Sequence, residues 1–246
     1  MYDPKGNGKD RSVNAVVFKE VAPPNHLKDV VHRVLELRTT STLAEEYRFH
    51  ALPDACTYLV FDQLQPDVTG VTRLRASSEE LDLGTIFHFV NIRFLPGVWQ
   101  REKEPVSYGI IASRYSGDLP LLALNQTLAS QDFDAQLVTL FSFVDTLLDQ
   151  GIVVANPVTE RIFRQMDDIH TVADMADAAR LSARQLQRVL KQTTGFTPHD
   201  FLKVLRLQQS LHGEPSLAYA DQSHFIHSFR KATGYTPGRY AKKFDV

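Results

Sequence analysis

The run SARQLQRVLKQTTGFTPHDF, residues 182–201, returns 39 positions later as DQSHFIHSFRKATGYTPGRY, residues 221–240. In this register Leu186 falls on Phe225, Leu190 on Phe229, Lys191 on Arg230, Thr194 on Thr233, Gly195 on Gly234, Phe196 on Tyr235, Thr197 on Thr236 and Pro198 on Pro237. Each copy places apolar residues at helical spacing and then stops on a glycine. A proline follows, suited to the first turn of a new helix. One helical unit duplicated is the simplest account of such a pattern.

Residues leading into the first copy complete a motif. VADMADAAR, residues 172–180, has Val172, Met175, Ala176 and Ala179 on one face and predicts a short helix. Leu181-Ser182 makes the turn, with Ser182 placed to cap the next helix. In that helix, residues 183–192, Leu186, Val189 and Leu190 face inward, while Arg184, Gln185, Gln187, Arg188 and Lys191 face outward. Two short helices across a tight turn form a helix-turn-helix, whose second helix can enter the major groove. Arginine and glutamine suit that position, because one can grip guanine and the other adenine through paired hydrogen bonds. A further helix is expected over 199–211. The chain's net charge of −2 hides a division: residues 171–246 hold 11 Lys or Arg against 6 Asp or Glu, and the other 170 residues hold 16 against 23. A basic tail on an acidic body suits a nucleic-acid module carried by a separate domain.

These motifs resemble the tandem DNA-binding domain of the AraC/XylS family of bacterial transcription regulators over residues 171–244. The residues that carry the likeness are the SxxxLQRxLKxxTGxTPxxF run at 182–201 and the DQSHFxxxFRKxTGYTPxxY run at 221–240. The resemblance implies base-facing positions at Arg184, Gln187 and Arg188 in the first recognition helix and Gln222, Ser223 and His227 in the second. It implies phosphate contacts from Lys191, Arg206, Arg230, Lys231, Arg239, Lys242 and Lys243, which supply affinity rather than sequence choice. It also implies double-stranded DNA as a partner, a homodimer, contact with RNA polymerase and a small-molecule effector. Two departures stand out. His227 occupies a place where the family often has arginine, and a largely neutral histidine makes a weaker contact. Only PSLAYA, residues 215–220, stands where about ten more residues would build the second unit's scaffold helix, so Phe225 and Phe229 need other cover.

The first 170 residues read as β-rich. VNAVVFKEV (13–21), TYLVF (57–61), VTGVTRLRA (68–76) and GTIFHFVNIRFLPG (84–97) are strand candidates with Pro and Gly between them. HLKDVVHRVLELR (26–38) fits either a helix or a strand, and residues 1–13 read as a loose arm. In the 86–94 stretch Ile86, His88, Val90, Ile92 and Phe94 alternate with Phe87, Phe89, Asn91 and Arg93, with a slip near Asn91, so both faces should be covered. Helices are expected at 119–128 and 133–151, and one short helix with the domain junction at 155–170. The expectation is an α+β multidomain chain. A cupin-like or jelly-roll barrel with helices (1–160) senses a ligand or makes the dimer. An all-α tandem helix-turn-helix with a shortened second unit (161–246) binds DNA.

No HExxH, GxSxG or P-loop motif occurs, so an enzyme is not expected. A lone cysteine, Cys56, excludes a disulfide framework or a multi-cysteine zinc site and fits a reducing compartment. No metal or cofactor is expected. A polar start and no long apolar run give neither a leader nor a membrane span, so the cytoplasm is the expected location. His50, His88, Arg93 and Trp99 are effector-pocket candidates on polar and aromatic character alone, and an anion at Arg93 is the leading form of that idea. A sequence-specific DNA-binding transcription regulator is thus the first reading. The rival is a non-enzymatic interaction or ligand-binding protein with a vestigial DNA module.

Overall fold

A computed structural model describes residues 2–72, 75–100, 111, 114–212 and 222–246. Its elements in chain order are β1 (Asn7–Asp10), β2 (Val16–Val21), β3 (Val31–Thr39), β4 (Arg48–Ala51), β5 (Thr57–Asp62), β6 (Thr69–Thr72), β7 (Glu79–Asp82), β8 (His88–Phe94), α1 (Leu121–Ala129), α2 (Phe133–Asp149), α3 (Pro157–Arg164), α4 (Val172–Ala179), α5 (Ala183–Thr193), α6 (Pro198–Leu211), α7 (Gln222–Thr233), α8 (Pro237–Lys243) and β9 (Phe244–Asp245). The stretch that fitted helix or strand is β3, and the division expected after residue 160 falls within α3.

The strands form two antiparallel sheets, not a barrel. One runs β2-β3-β8-β5-β6 and the other β7-β4-β1-β9. This corrects the expected cupin-like or jelly-roll barrel. Closure requires an unbroken ladder around the whole perimeter, and no strand pairing joins the two sheets among the described residues. The smaller sheet is instead extended at its edge by β9, from the far end of the chain, where Lys9 pairs with Asp245 and Asp10 with Phe244.

Both faces of the larger sheet are covered, as the residues of β8 required. Its pairing with β3 and β5 runs through Asn91 without interruption, so the expected slip there is absent; the irregularity lies in β3, between Val31 and Arg33. Val90, Ile92 and Phe94 face one way, into a core with Val34, Leu59, Phe61, Leu121, Leu140, Val144 and Leu147 of α1 and α2. Phe89, Asn91 and Arg93 face the smaller sheet across a cavity. Asn125 ties α1 to the sheet's end through Nδ2 bonds to the carbonyls of Asp62, Pro66 and Val68 at 3.0–3.2 Å.

Far from loose, residues 2–10 are threaded between the two halves of the molecule. The Tyr2 ring stacks on Phe163 of α3 with centroids 4.2 Å apart, and its hydroxyl donates to the Asp54 carbonyl at 2.8 Å. Leu52 N–H donates to Gly6 at 2.9 Å. His32 and Arg33 both reach Asp3, at 2.8 and 3.3 Å. Burial alone would push the Asp3 carboxyl up, but the His32 hydrogen bond and the neighbouring Arg33 charge hold it below the usual carboxylate range.

Candidate nucleic-acid interface

The first unit is built by local signals that the structure uses in full. Thr171 and Asp174 form a capping box at the start of α4, and Ser182 and Gln185 form another at the start of α5. Between them Arg180 takes a left-handed conformation (φ 58°), which turns the chain from one helix to the next. Leu186 and Leu190 are fully buried against Met175 and Ala179 of α4 and Phe201, Val204 and Leu205 of α6. Burying each leucine stabilises the unit by roughly 1.5–3 kcal/mol. With the inner face thus fixed, Arg184, Gln187, Arg188 and Lys191 are exposed together on the outer face. Gln185 is on that side too, but its Oε1 accepts from the Ser182 backbone at 2.9 Å and is occupied in the cap.

Both copies of the Thr-Gly-aromatic-Thr-Pro stop have the same internal mechanism. Thr194 Oγ1 donates to the Leu190 carbonyl at 2.6 Å and accepts from Phe196 N–H at 3.1 Å. Thr233 Oγ1 donates to the Phe229 carbonyl at 2.8 Å and accepts from Tyr235 N–H at 3.2 Å. Gly195 and Gly234 have φ of 78° and 80°, a region that L side chains rarely adopt. The copies then part. Thr197 accepts from Asp200 N–H at 3.2 Å to cap α6, whereas Thr236 makes no side-chain cap for α8.

The second unit finds its cover on the N-terminal half. Phe229 and Tyr240 are buried with Leu207 of α6, Leu52 and Phe244, and Phe225 packs against this group half-buried. Phe225 and Phe229 meet edge to face with centroids 5.7 Å apart. Glu80 of β7 accepts from the Tyr235 hydroxyl at 2.8 Å, and Ser78 N–H donates to the Ala232 carbonyl at 2.7 Å. The stretch PSLAYA, on which the shortened scaffold helix rests, lies outside the described residues. Gln222, Ser223 and His227 are exposed on α7, as are Arg230 and Lys231, with Arg239 and Lys242 on α8. Arg206 is placed differently. It is half-buried and donates from Nη2 to the His170 carbonyl. Lys243 lies over the Tyr235 and Phe244 rings and donates to the Tyr235 hydroxyl at 3.1 Å.

The four effector candidates do not converge. His50 is 1% exposed and sits beneath the second unit, within hydrogen-bonding reach of the Thr233 carbonyl at 3.1 Å and stacked on Phe244. Burial holds its pKa below the usual imidazole value. His88 lies on the helix-covered face of β8, 3.2 Å from Glu36. Trp99 is buried against Phe94, with centroids 5.3 Å apart. Arg93 alone of the four lines the cavity between the sheets, beside Tyr58, Thr72 and Asn91. Asn91 was legible as a neighbour of Arg93 in the period-2 pattern of β8. Thr72 and Tyr58 were not, because strand pairing brings them there. Among the described residues, no group of three or more His, Cys, Asp or Glu could hold a metal ion, and no helix is long and apolar enough to cross a membrane.

Residues 168–203, spanning α4, α5 and the start of α6, match the family model of bacterial regulatory helix-turn-helix proteins, AraC family. Similar curated proteins include the HTH-type transcriptional activator RhaS of Escherichia fergusonii, 38% identical over 74 residues, and the HTH-type transcriptional regulator MtrA of Neisseria gonorrhoeae, 26% identical over 95 residues. Those alignments cover 26% and 34% of this chain, which spans about a third or less of each relative, 27% and 32%. Crystal structures of ToxT from Vibrio cholerae align over 94% of this chain and 97–98% of theirs, at 8–9% identity and a TM-score of 0.41, too low to bear on the fold. Over residues 168–203, the first helix-turn-helix unit, the matched sequence and the observed geometry coincide: this part of the chain is similar to the bacterial regulatory helix-turn-helix proteins of the AraC family.

Proposed function

We propose that this chain is a sequence-specific DNA-binding transcription regulator that reads DNA through α5 and α7. The observation that carries this reading is the exposed row of Arg184, Gln187, Arg188 and Lys191 on a helix that is capped at its start and pinned by two fully buried leucines. A rigid backbone behind a polar, cationic face is what base readout in the major groove requires. Its relatives RhaS and MtrA bear transcription-regulator names, and their similarity supports the same role here. In this reading the two units occupy successive major grooves about 34 Å apart, one helical turn. Arg184, Gln187 and Arg188 of the first unit, and Gln222, Ser223 and His227 of the second, face bases. Lys191, Arg230, Lys231, Arg239 and Lys242 meet phosphates. Arg206, tied to the His170 carbonyl, would have to exchange that bond for a phosphate. The N-terminal half responds to an effector, and a homodimer and contact with RNA polymerase follow from the family role.

Selection of bound sequences from a random DNA library, followed by a salt-dependent mobility-shift assay, tests the reading. Arg184→Ala with Arg188→Ala should lower specific affinity by a hundredfold or more, since each good base contact contributes about 1–3 kcal/mol. Far-UV circular dichroism should be unchanged. Binding that is weak and sequence-blind before the substitutions are made would instead favour a vestigial DNA module acting through the N-terminal half.

A further inference from the structure

We infer that His50 and Glu80, on the smaller sheet of the N-terminal half, are positioning residues for the second recognition helix: they hold the C-terminal end of α7 and so aim Gln222, Ser223 and His227 at DNA. This deepens the DNA-binding reading above and rests on it. It makes the N-terminal half a structural part of the DNA reader.

The last carbonyls of a helix have no partner within it. In the first unit Gly195 N–H meets the Leu190 and Lys191 carbonyls, both at 3.1 Å, and Lys191 Nζ donates to the Gly195 carbonyl at 3.1 Å, all within the unit. In α7 two of these carbonyls are met from the N-terminal half instead. Ser78 N–H, just before β7, donates to the Ala232 carbonyl at 2.7 Å. His50 Nε2, on β4, lies 3.1 Å from the Thr233 carbonyl, and its Nδ1 lies 3.3 Å from Tyr240 Oη. A carbonyl oxygen can only accept, so the neutral ring carries its proton on Nε2 and Nδ1 accepts from the Tyr240 hydroxyl. Glu80 of β7 accepts from the Tyr235 hydroxyl at 2.8 Å, whose oxygen accepts in turn from Lys243 at 3.1 Å. Rings fill the remaining space: His50 stacks on Phe244 with centroids 4.8 Å apart and meets Tyr235 edge to face at 5.6 Å.

The held end governs the far end by leverage. α7 spans Gln222–Thr233, so its first residue stands about 16 Å along the axis from its last. A tilt of about 10° at Thr233 would carry Gln222 about 3 Å, the length of a hydrogen bond, whereas a binding side chain must be placed to about 0.5 Å. The direction of the effect follows from what the contact leaves open. Gln222, Ser223 and His227 are exposed while Phe229, Tyr240 and Phe244 are buried. A brake on DNA binding would cover the reading face. This contact covers the opposite one, so its loss weakens binding rather than releasing it.

The test uses the full chain and an operator selected from the random library, with affinity read by mobility shift. Glu80→Ala and Glu80→Gln remove the same charge, but only glutamine keeps an acceptor for the Tyr235 hydroxyl. Glu80→Ala should bind the operator at least threefold more weakly than Glu80→Gln, with both equal on scrambled DNA. Scrambling one half of the operator at a time should abolish that gap for one half, the one read by α7, and preserve it for the other. His50→Leu against His50→Gln, which keeps an N–H for the Thr233 carbonyl, should show the same pattern at tenfold or more. Glu80 is exposed, so its pair of variants decides the matter should the buried His50→Leu misfold. The inference is overturned if Glu80→Ala binds the operator as well as Glu80→Gln or better, or if the gap survives scrambling of either half. A wild type that selects no sequence at all would overturn the DNA-binding reading and this inference with it; the other outcomes overturn this inference alone.

Discussion

The side-chain amide of Gln208, on the helix that follows the first helix-turn-helix unit, donates to the backbone carbonyl of Pro53 at 2.8 Å. The same amide donates to the Lys5 carbonyl at 3.0 Å, and its oxygen accepts from Lys5 N–H at 2.7 Å. One fully buried glutamine thus joins α6, the N-terminal arm and the loop before β5. Replacing Gln208 with Leu keeps the volume but strands three backbone groups. We expect a loss of about 2–3 kcal/mol in urea unfolding, with greater protease susceptibility at residues 2–10. An unchanged denaturation midpoint would show that water meets these groups once the amide is gone.

Acid should loosen the same arm through His32. Burial, reinforced by the adjacent Arg93 charge, lowers the His32 pKa to about 4. Arg93 Nη1 donates to Nδ1, so the neutral ring offers its Nε2 proton to Asp3. Protonation would turn Nδ1 into a donor facing another donor. Because the folded value lies below the unfolded one, near 6.5, the unfolded state binds the extra proton first. Stability is then full above pH 6.5 and falls as the pH drops toward 4, by on the order of 3 kcal/mol. Urea titrations at pH 7, 6, 5 and 4 check this by difference: the gap between the wild type and His32→Gln should narrow as the pH falls.

At Gly8 the side chains of Tyr240 and Phe244 pack directly on the N-terminal strand. A Cβ there would lie 2.3 Å from Tyr240 Oη and 2.9 Å from Phe244 Cγ. Gly8→Ala should therefore push α8 and β9 off the smaller sheet, at a loss of about 1–3 kcal/mol. Hydrogen exchange should quicken in α7, α8 and β9, while α4 and α5, which have their own core, keep their protection. Equal exchange changes in both units would mean that they unfold together.

His227 gives a gain-of-function test. It is exposed on α7, so His227→Arg should leave thermal stability within about 0.5 kcal/mol. DNA affinity should rise severalfold, and the slope of log affinity against log salt should steepen by about one if the new cation meets a phosphate. A rise confined to the selected operator, with no change in slope, would instead place position 227 against a base.

The repeated stop at 194–198 and 233–237 determined by itself that the C-terminal third is two related helical units, because its working parts are local. A threonine bonds back to its own helix, a glycine takes the left-handed turn and a proline begins the next helix, all within five residues. The exposed side of α5 was legible for the same reason: helical periodicity and the Ser182 cap fix which residues point away from Leu186 and Leu190. In the N-terminal half, strand positions could be read from alternation and turn residues, but alternation alone does not say which strands pair. Tertiary structure decided that the strands make two sheets rather than a barrel. It also decided that β9 completes one of them, that His50 packs beneath the second unit, and that Thr72, Asn91 and Arg93 line one cavity. Each of these depends on contacts between residues up to about 240 positions apart. Such pairings follow from burying several apolar faces at once, a condition that no short window of sequence contains.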